Sequence, residues 1–464
     1  QAVTGVLDYS FDYYRIQPTQ GAVYVAANPR PGQPDDVGGN LKIASFNVLN
    51  YFTTLGSRGA NDTLEFERQR AKIFAALAAI DADVVGLIEI ENNGTAVADL
   101  VQGLNGLLGA TVYAYVDTGV VGVDEITVAL IYKPAAVSLE GAHAVLDDPA
   151  FTNPLGYLEE DGTLAQLSRP ALAQTFMDNA TGGVFTAVVN HLKSKGSACG
   201  EGDDDPVQGN CNLTRTLGAQ ALVEWLAGDP TGSGDADVLI MGDLNAYDKE
   251  DPVDALLAGG YTDLVAMFQG EYAYSYVFDG QLGYLDHAAS SAFLDEITGA
   301  TIWHINADEP DLIDYDMTFK EPAQDALYAP DAYRSSDHDP VIVGLDLCDE
   351  IPPTLDVSVS PDVLWPVNHK YVTVQATVTA ADNFDPYPVV TLLSVTSNEP
   401  DNGLGDGDMP DDIVIVDDDT FQLRAERAGT EMDRVYTITY QVTDACGNWT
   451  TASATVTVPH DMRP

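Results

Sequence analysis

The feature that most constrains this chain is a set of strand-like apolar runs that end in acids, amides and imidazoles. Asp237-Val-Leu-Ile-Met241 leads into Gly242, Asp243 and Asn245, and Asp339-Pro-Val-Ile-Val-Gly-Leu345 follows Asp337 and His338. The run 41–49 alternates and carries Asn47; 83–90 is a nearly continuous apolar run broken by Glu89; 186–193 carries His191. Alternation with period two and short apolar runs are strand signals. A buried strand favours hydrocarbon and holds its ends rigidly, so polar side chains placed there point to chemistry. Asn, Glu and Asp oxygens suit a hard divalent cation better than zinc.

Helical periodicity over 66–80 precedes the strand bearing Glu89, and a second helical stretch over 217–226 precedes the strand bearing Asp243. Strands alternating with helices predict either a doubly wound α/β fold or two packed sheets with helices outside. Ile351-Pro-Pro reads as a linker. Beyond it, 370–379, 389–395, 412–416, 434–442 and 452–458 alternate with period two and almost no helix, which predicts an immunoglobulin-like β-sandwich. Ahead of the first motif strand, 2–7 and 13–17 are short strand patterns, followed by a Pro/Gly-rich linker over 29–36.

Taken in order, Asn47, Glu89, His191, Asp243-Leu-Asn245 and Ser336-Asp-His338 resemble the endonuclease/exonuclease/phosphatase superfamily, whose familiar member is deoxyribonuclease I. Arg58-Gly-Ala, Glu65-Phe-Glu-Arg-Gln, Glu89-Ile-Glu-Asn-Asn-Gly94, Asp124-Glu-Ile-Thr-Val and Asn190-His-Leu-Lys-Ser-Lys-Gly196 resemble the large secreted nucleases of aquatic bacteria. The resemblance spans about 41–347. It implies the four-layer α+β sandwich for a catalytic domain at 41–348, with an accessory immunoglobulin-like all-β sandwich at 349–464. Residues 1–40 then resemble the last strands of an oligonucleotide-binding-type (OB) barrel, with a packed extension of the catalytic domain as the alternative.

The resemblance also implies roles. Asn47 and Glu89 hold the main catalytic cation, Mg²⁺ or Mn²⁺, while Asp243, Asn245 and Asp337 hold a second ion or orient water and phosphate oxygens. His338 helps activate the attacking water and His191 protonates the leaving oxygen. Each imidazole needs a carboxylate to fix its tautomer; Asp286 matches the partner of His338, and Glu125 is the expected partner of His191. An ordinary imidazole pKa of about 6.5 suits both proton tasks. The family commonly has an Arg shortly after the metal-binding Glu, whereas Glu91-Asn-Asn follows here. His143, His287, His304 and His369 lack comparable context and read as structural.

The formal charge of −52, from 72 acids and 20 bases over 464 residues, is an awkward balance for a protein that binds a polyanion. The excess is spread evenly: residues 351–464 hold 18 acids and 5 bases. That pattern reads as adaptation to a salty medium, where the Debye length is only ~3–8 Å. Scarce bases become informative. Arg169, Lys193 and Arg334 read as phosphate contacts. Arg68, Arg70 and Lys72, on a periodic helix after Arg58, read as surface charge. The Asp401–Asp419 stretch is rich in Asp and Gly without EF-hand spacing, so a solvated loop is the default and a structural Ca²⁺ the alternative.

Cys199 and Cys211 bracket a Gly/Asp-rich loop, and a bridge there contributes roughly 3 kcal/mol in the loop-entropy model. Cys348 and Cys446 are left to staple the two regions. Two bridges would imply an oxidising compartment, hence secretion, and Gln1 reads as the start of a processed or truncated product. No apolar stretch approaches the length of a membrane span.

These observations together lead to an expected metal-dependent endonuclease or phosphodiesterase, monomeric, acting on extracellular DNA with little sequence specificity. RNA shares the same phosphodiester chemistry. The alternatives are a phosphoesterase of the same fold acting on phospholipid, nucleotide or sugar phosphate, and a non-enzymatic surface adhesin.

Overall fold

The apolar runs assemble into two mixed six-stranded sheets lying face to face, in a computed structural model that describes residues 3–10, 12–21, 30–294, 296–402, 410–429 and 432–461. One sheet runs in the order Thr262–Asp263, Asp286–Ser290, Val238–Asp243, Val184–His191, Arg169–Asp178, Val137–Leu146. The other runs Ile297–Ile302, Val341–Leu345, Leu41–Tyr51, Val84–Glu91, Ile126–Tyr132, Ala114–Tyr115. Ile43, Ile88, Leu130 and Val343 from one sheet meet Phe176, Val189, Leu239 and Met241 from the other in a shared core. Burying each such side chain contributes about 1.5–3 kcal/mol.

Helices cover both outer faces. Thr63–Ile80 begins where the Asp62 carboxylate accepts the Leu64 and Glu65 amides and ends at a left-handed Asp81. Its apolar stripe, Ile73, Leu77 and Ile80, packs with Phe46 and Leu87. Asn212–Leu226 and Asp251–Ala258 cover the other sheet through Ala219, Leu222, Val253 and Leu256. The result is the four-layer sandwich and not a doubly wound sheet.

Arg68 and Lys72 depart from the surface role expected of them; both are buried. The irregular stretch at 325–333 folds over their helix: Arg68 pairs with Asp325 and stacks on Tyr328, and Lys72 Nζ donates to the Tyr333 carbonyl at 2.7 Å. Periodicity marks a helix's faces, and it carries no signal for a loop that returns from far along the chain.

The C-terminal region is a sandwich of antiparallel sheets. Thr354–Ser360, Tyr371–Ala381, Thr420–Arg424 and Ile413–Ile415 form one, and Val389–Ser397, Arg434–Thr443 and Trp449–Val458 the other. Phe421, Leu423, Tyr436, Ile438 and Val456 fill the space between them. The strands at 354–360 and 420–424 were not expected. Part of the acidic loop considered for Ca²⁺, residues 403–409, lies outside the described residues. Disulfides join Cys199 to Cys211 and Cys348 to Cys446, the second tying the two sandwiches together. Near the N-terminus, Gly5–Ser10 and Tyr13–Pro18 form an exposed hairpin. Among the described residues no helix is long and apolar enough to cross a membrane.

Candidate active site

Strand register builds the centre. Arg169 lies opposite His191, His191 opposite Asp243, and Asp243 opposite Asp286, so four adjacent strands present one polar row at their ends. The neighbouring sheet supplies Asn47 and Glu89 from two parallel strands whose pairing slips between Asn47 and Tyr51. The slip coincides with left-handed Leu49, Asn50 and Glu89 (φ 51°, 52° and 67°), which turn the strand ends into the cleft. The loop before Val341–Leu345 adds Asp337 and His338.

Side-chain contacts then tighten the group. His338 Nδ1 lies 2.7 Å from Asp286 Oδ2, and that oxygen also accepts the Ser275 hydroxyl at 2.6 Å. His338 Nε2 is left facing Asp243, whose Oδ2 is 3.9 Å away; His191 Nε2 stands 3.6 Å from the same oxygen. Asn47 Nδ2 reaches Glu89 Oε1 at 3.3 Å and Asp243 Oδ2 at 3.5 Å. The Asn50 amide donates to Glu89 Oε2 at 3.1 Å. Asn245, left-handed at φ 48°, donates its amide to Asp243 Oδ1 and its Nδ2 to the Leu192 carbonyl.

The site around these groups is a cleft of about 510 Å³ lined by both histidines, Glu89, Asp243, Asn245 and Asp337. Three bases, Arg58, Arg169 and Lys195, and three aromatic rings, Tyr247, Tyr276 and Phe278, complete its walls. The Tyr276 ring lies 4.5 Å from that of His338.

Not every expected residue arrives. Glu125 is exposed; among the described residues it gives His191 no hydrogen bond, and the buried His191 Nδ1 finds no partner. The adjoining Asp124 instead pairs with Arg169 at 3.1 Å and Arg58 at 3.6 Å. Arg334 pairs with Asp311 and donates to the Asn306 carbonyl, and Lys193 turns to Ser197; neither lines the cleft. Arg169 does. Lys195, Tyr247, Tyr276, Phe278 and Ser275 escaped the sequence reading, although the aromatic run Tyr272-Ala-Tyr-Ser-Tyr-Val-Phe278 was a usable signal. His287 is pinned between the Ala246 carbonyl and Asp263, and His304 stacks on Tyr274 beside Asp339, both structural positions.

Electrostatics test whether a cation fits. Burial, then the Asp337 charge, pushes Glu89 above the usual carboxylate range. Burial, with Asp286 and Glu89 nearby, pushes Asp243 up to about 7. Acids crowded this way hold protons for want of another positive charge. Glu89, Asp243, Asp337 and the amide oxygens of Asn47 and Asn245 form the oxygen-rich donor set that hard divalent cations take. The residues fit such an ion. The imidazoles are polarised in opposite senses. Burial and then Arg169 push His191 well below its ordinary value, whereas for His338 the charges of Asp286, Asp243 and Asp337 overcome burial and raise it well above. Asp243 and Asp337, two of the three acids acting on His338, are among the residues that would hold the cation, whose charge would offset theirs.

A family model described as the Endonuclease/Exonuclease/phosphatase family matches residues 44–338. The chain belongs to this family. Its members hydrolyse phosphoester bonds and generally use divalent metals such as Mg²⁺. Among solved structures, an endonuclease/exonuclease/phosphatase from Bacteroides vulgatus is similar at 15% identity and TM-score 0.42, covering 66% of this chain and 98% of its own. A mannosyl-6-phosphatase from Bacteroides thetaiotaomicron is similar at 17% identity and TM-score 0.42, covering 66% and 99%. D. rerio TDP2, complexed with a single-strand DNA product, is similar at 15% identity and TM-score 0.40, covering 65% and 97%. No curated protein matches the chain.

Proposed function

We propose that this member of the Endonuclease/Exonuclease/phosphatase family is a secreted, divalent-metal-dependent nuclease that hydrolyses extracellular DNA with little sequence specificity. The observation that carries the reading is an Asp286–His338 dyad beside the Asn47–Glu89–Asp243 group, at one cleft lined by both bases and aromatic rings. Bases grip phosphates without reading sequence, and flat rings stack on any nucleobase. The motif text akin to the secreted nucleases of aquatic bacteria and the two disulfides support an extracellular setting. On this reading 41–348 is the catalytic domain and 349–464 an immunoglobulin-like accessory domain.

Asp286 accepts Nδ1–H of His338, which leaves Nε2 to take a proton from the attacking water. His191, whose Nε2 stands beside the same Asp243 oxygen, donates a proton to the leaving oxygen as the phosphorus–oxygen bond breaks. Arg58 and Arg169 line the same cleft as His191, and a phosphate drawn to them favours the protonated imidazole. Glu89, Asn47, Asp243, Asn245 and Asp337 are the residues that would hold the cation. When bound, Mg²⁺ or Mn²⁺ draws charge off the phosphate.

Purified protein is expected to cut plasmid with Mg²⁺ or Mn²⁺ and to stop with EDTA. His191→Ala and His338→Ala should each lower the rate by about 10²–10⁴-fold, the usual worth of a positioned acid or base. Parallel assays on sphingomyelin and a phosphomonoester set the substrate class. Full cleavage by either variant, or faster turnover of the non-nucleic substrates, sinks the assignment.

A further inference from the structure

One wall of the cleft carries groups that hydrolysis of a phosphoester does not itself require. Tyr276–Phe278 pairs with Gln281–Gly283 in a short hairpin. Tyr276 and Phe278 stand two residues apart on one strand, hence on one face, and both line the cleft. Tyr276 is half-buried, with its ring centroid 4.5 Å from that of His338, so the aromatic wall begins beside the reacting groups. Phe278 continues it and is 63% exposed. Tyr247, the third ring, packs on Gly283 and has Lys195 Nζ 4.7 Å from its centroid.

The reacting groups are recessed. His191, Asp243 and His338 are buried, and the cleft they line has a volume of about 510 Å³, the scale of a pocket that takes a small molecule. A nucleoside attached to a phosphate held there lies against the rings. In a duplex, stacked neighbours cover both faces of each base and leave only edges and sugars accessible. Aromatic side chains find free base faces on unpaired strands.

Charge points the same way. A duplex carries one phosphate charge per ~1.7 Å of axis, a single strand one per ~3.4 Å. The chain has a net charge of −52, and few of its cleft bases are free to neutralise the denser polyanion: Arg58 and Arg169 share Asp124, and Lys195 pairs with Glu250. Stacking needs no charge and contributes roughly 5–150-fold in affinity per base.

We propose that the cleft, read as a nuclease site, selects DNA that is single-stranded or locally unpaired, with Tyr276 and Phe278 as the platform for the base beside the scissile phosphate. Ring stacking then supplies the grip that scarce bases do not.

The test uses the full chain with Mg²⁺ at 0.15 M NaCl and three end-labelled substrates: a mixed-sequence strand without self-complementarity, the same strand annealed to its complement, and a strand with abasic tetrahydrofuran units in place of the bases. Cleavage of the single strand should exceed that of the duplex at least ~10-fold in kcat/KM. The abasic strand keeps the phosphates and loses the base faces, and should be cut at least ~10-fold more slowly than its parent. Phe278→Ala, at an exposed position, should lower the ratio of single-strand to duplex kcat/KM about 5-fold or more, mainly through KM for the single strand, and Phe278→Trp should keep it. A duplex cut as fast as the single strand, an abasic strand cut as fast as its parent, or an unchanged ratio in Phe278→Ala overturns the proposal. Absence of cleavage on every substrate instead overturns the nuclease reading itself, and this preference with it.

Discussion

Gln69 does not line the cleft, yet it sets where Glu89 sits. Its Nε2 donates to the Leu49 and Asn50 carbonyls at 2.9 and 3.3 Å, holding the left-handed turn whose Asn50 amide reaches Glu89 Oε2. Gln69→Leu leaves two buried carbonyls unpaired and frees that turn. The expected result is a 10–100-fold weaker apparent Mg²⁺ affinity in plasmid cleavage, with KM for DNA little changed at saturating metal. An unaltered metal titration would remove Gln69 from the positioning role. The residue scale also shows where sequence reading stops. His338 and Asp286 were legible because each sits in its own motif at a strand end. The family resemblance implies Glu125, just before the strand Ile126–Tyr132, as the partner of His191, but adjacent residues face opposite ways and the neighbouring Asp124 is the one that pairs with Arg169. Lys193 and Arg334 adjoin motif residues in the chain, and their local partners, Ser197 and Asp311, draw them away from the cleft.

At the scale of elements, the parallel pairing of Val184–His191 with Val238–Asp243 aligns His191 with Asp243, and Gly242 lets those strands approach. Its φ is +136°, and a Cβ there would stand 2.1 Å from the Asn190 carbonyl oxygen. Gly242→Ala is therefore expected to destabilise by about 3 kcal/mol or more in urea unfolding, through strain and a forced shift of the row. Gly106 supplies the contrast. It lies in the helix Ala96–Leu108 with nothing within 4 Å of an added Cβ, so Gly106→Ala should stabilise by about 0.5–1 kcal/mol. Similar effects from both would break the argument. Strands and helices near the motifs were readable from period two and period 3.6, because those signals are local. The order of strands was not: Asp286–Ser290 joins Val238–Asp243 across more than forty residues, and no local pattern encodes that choice. The short strands Thr354–Ser360 and Thr420–Arg424 escaped because turn-rich flanks surround them.

For the whole molecule, the net charge of −52 sets how a polyanion approaches. The cleft bases do little to offset it, since Arg58 and Arg169 share Asp124 and Lys195 is paired with Glu250. At 0.01 M salt the Debye length is about 30 Å, so DNA meets the repulsion of the whole surface; at 0.15 M it is about 8 Å, and the cleft acts nearly alone. A basic nuclease loses affinity as added salt makes the release of counterions from DNA less favourable. The opposite balance holds here. Under constant Mg²⁺, kcat/KM on plasmid should rise between about 0.01 and 0.3 M NaCl, with most of the change in KM, because repulsion acts on encounter while the buried dyad is screened little. Replacing surface acids remote from the cleft with their amides should flatten that rise and leave kcat in place. A rate that falls steadily from the lowest salt upward would show that local phosphate contacts outweigh the long-range field.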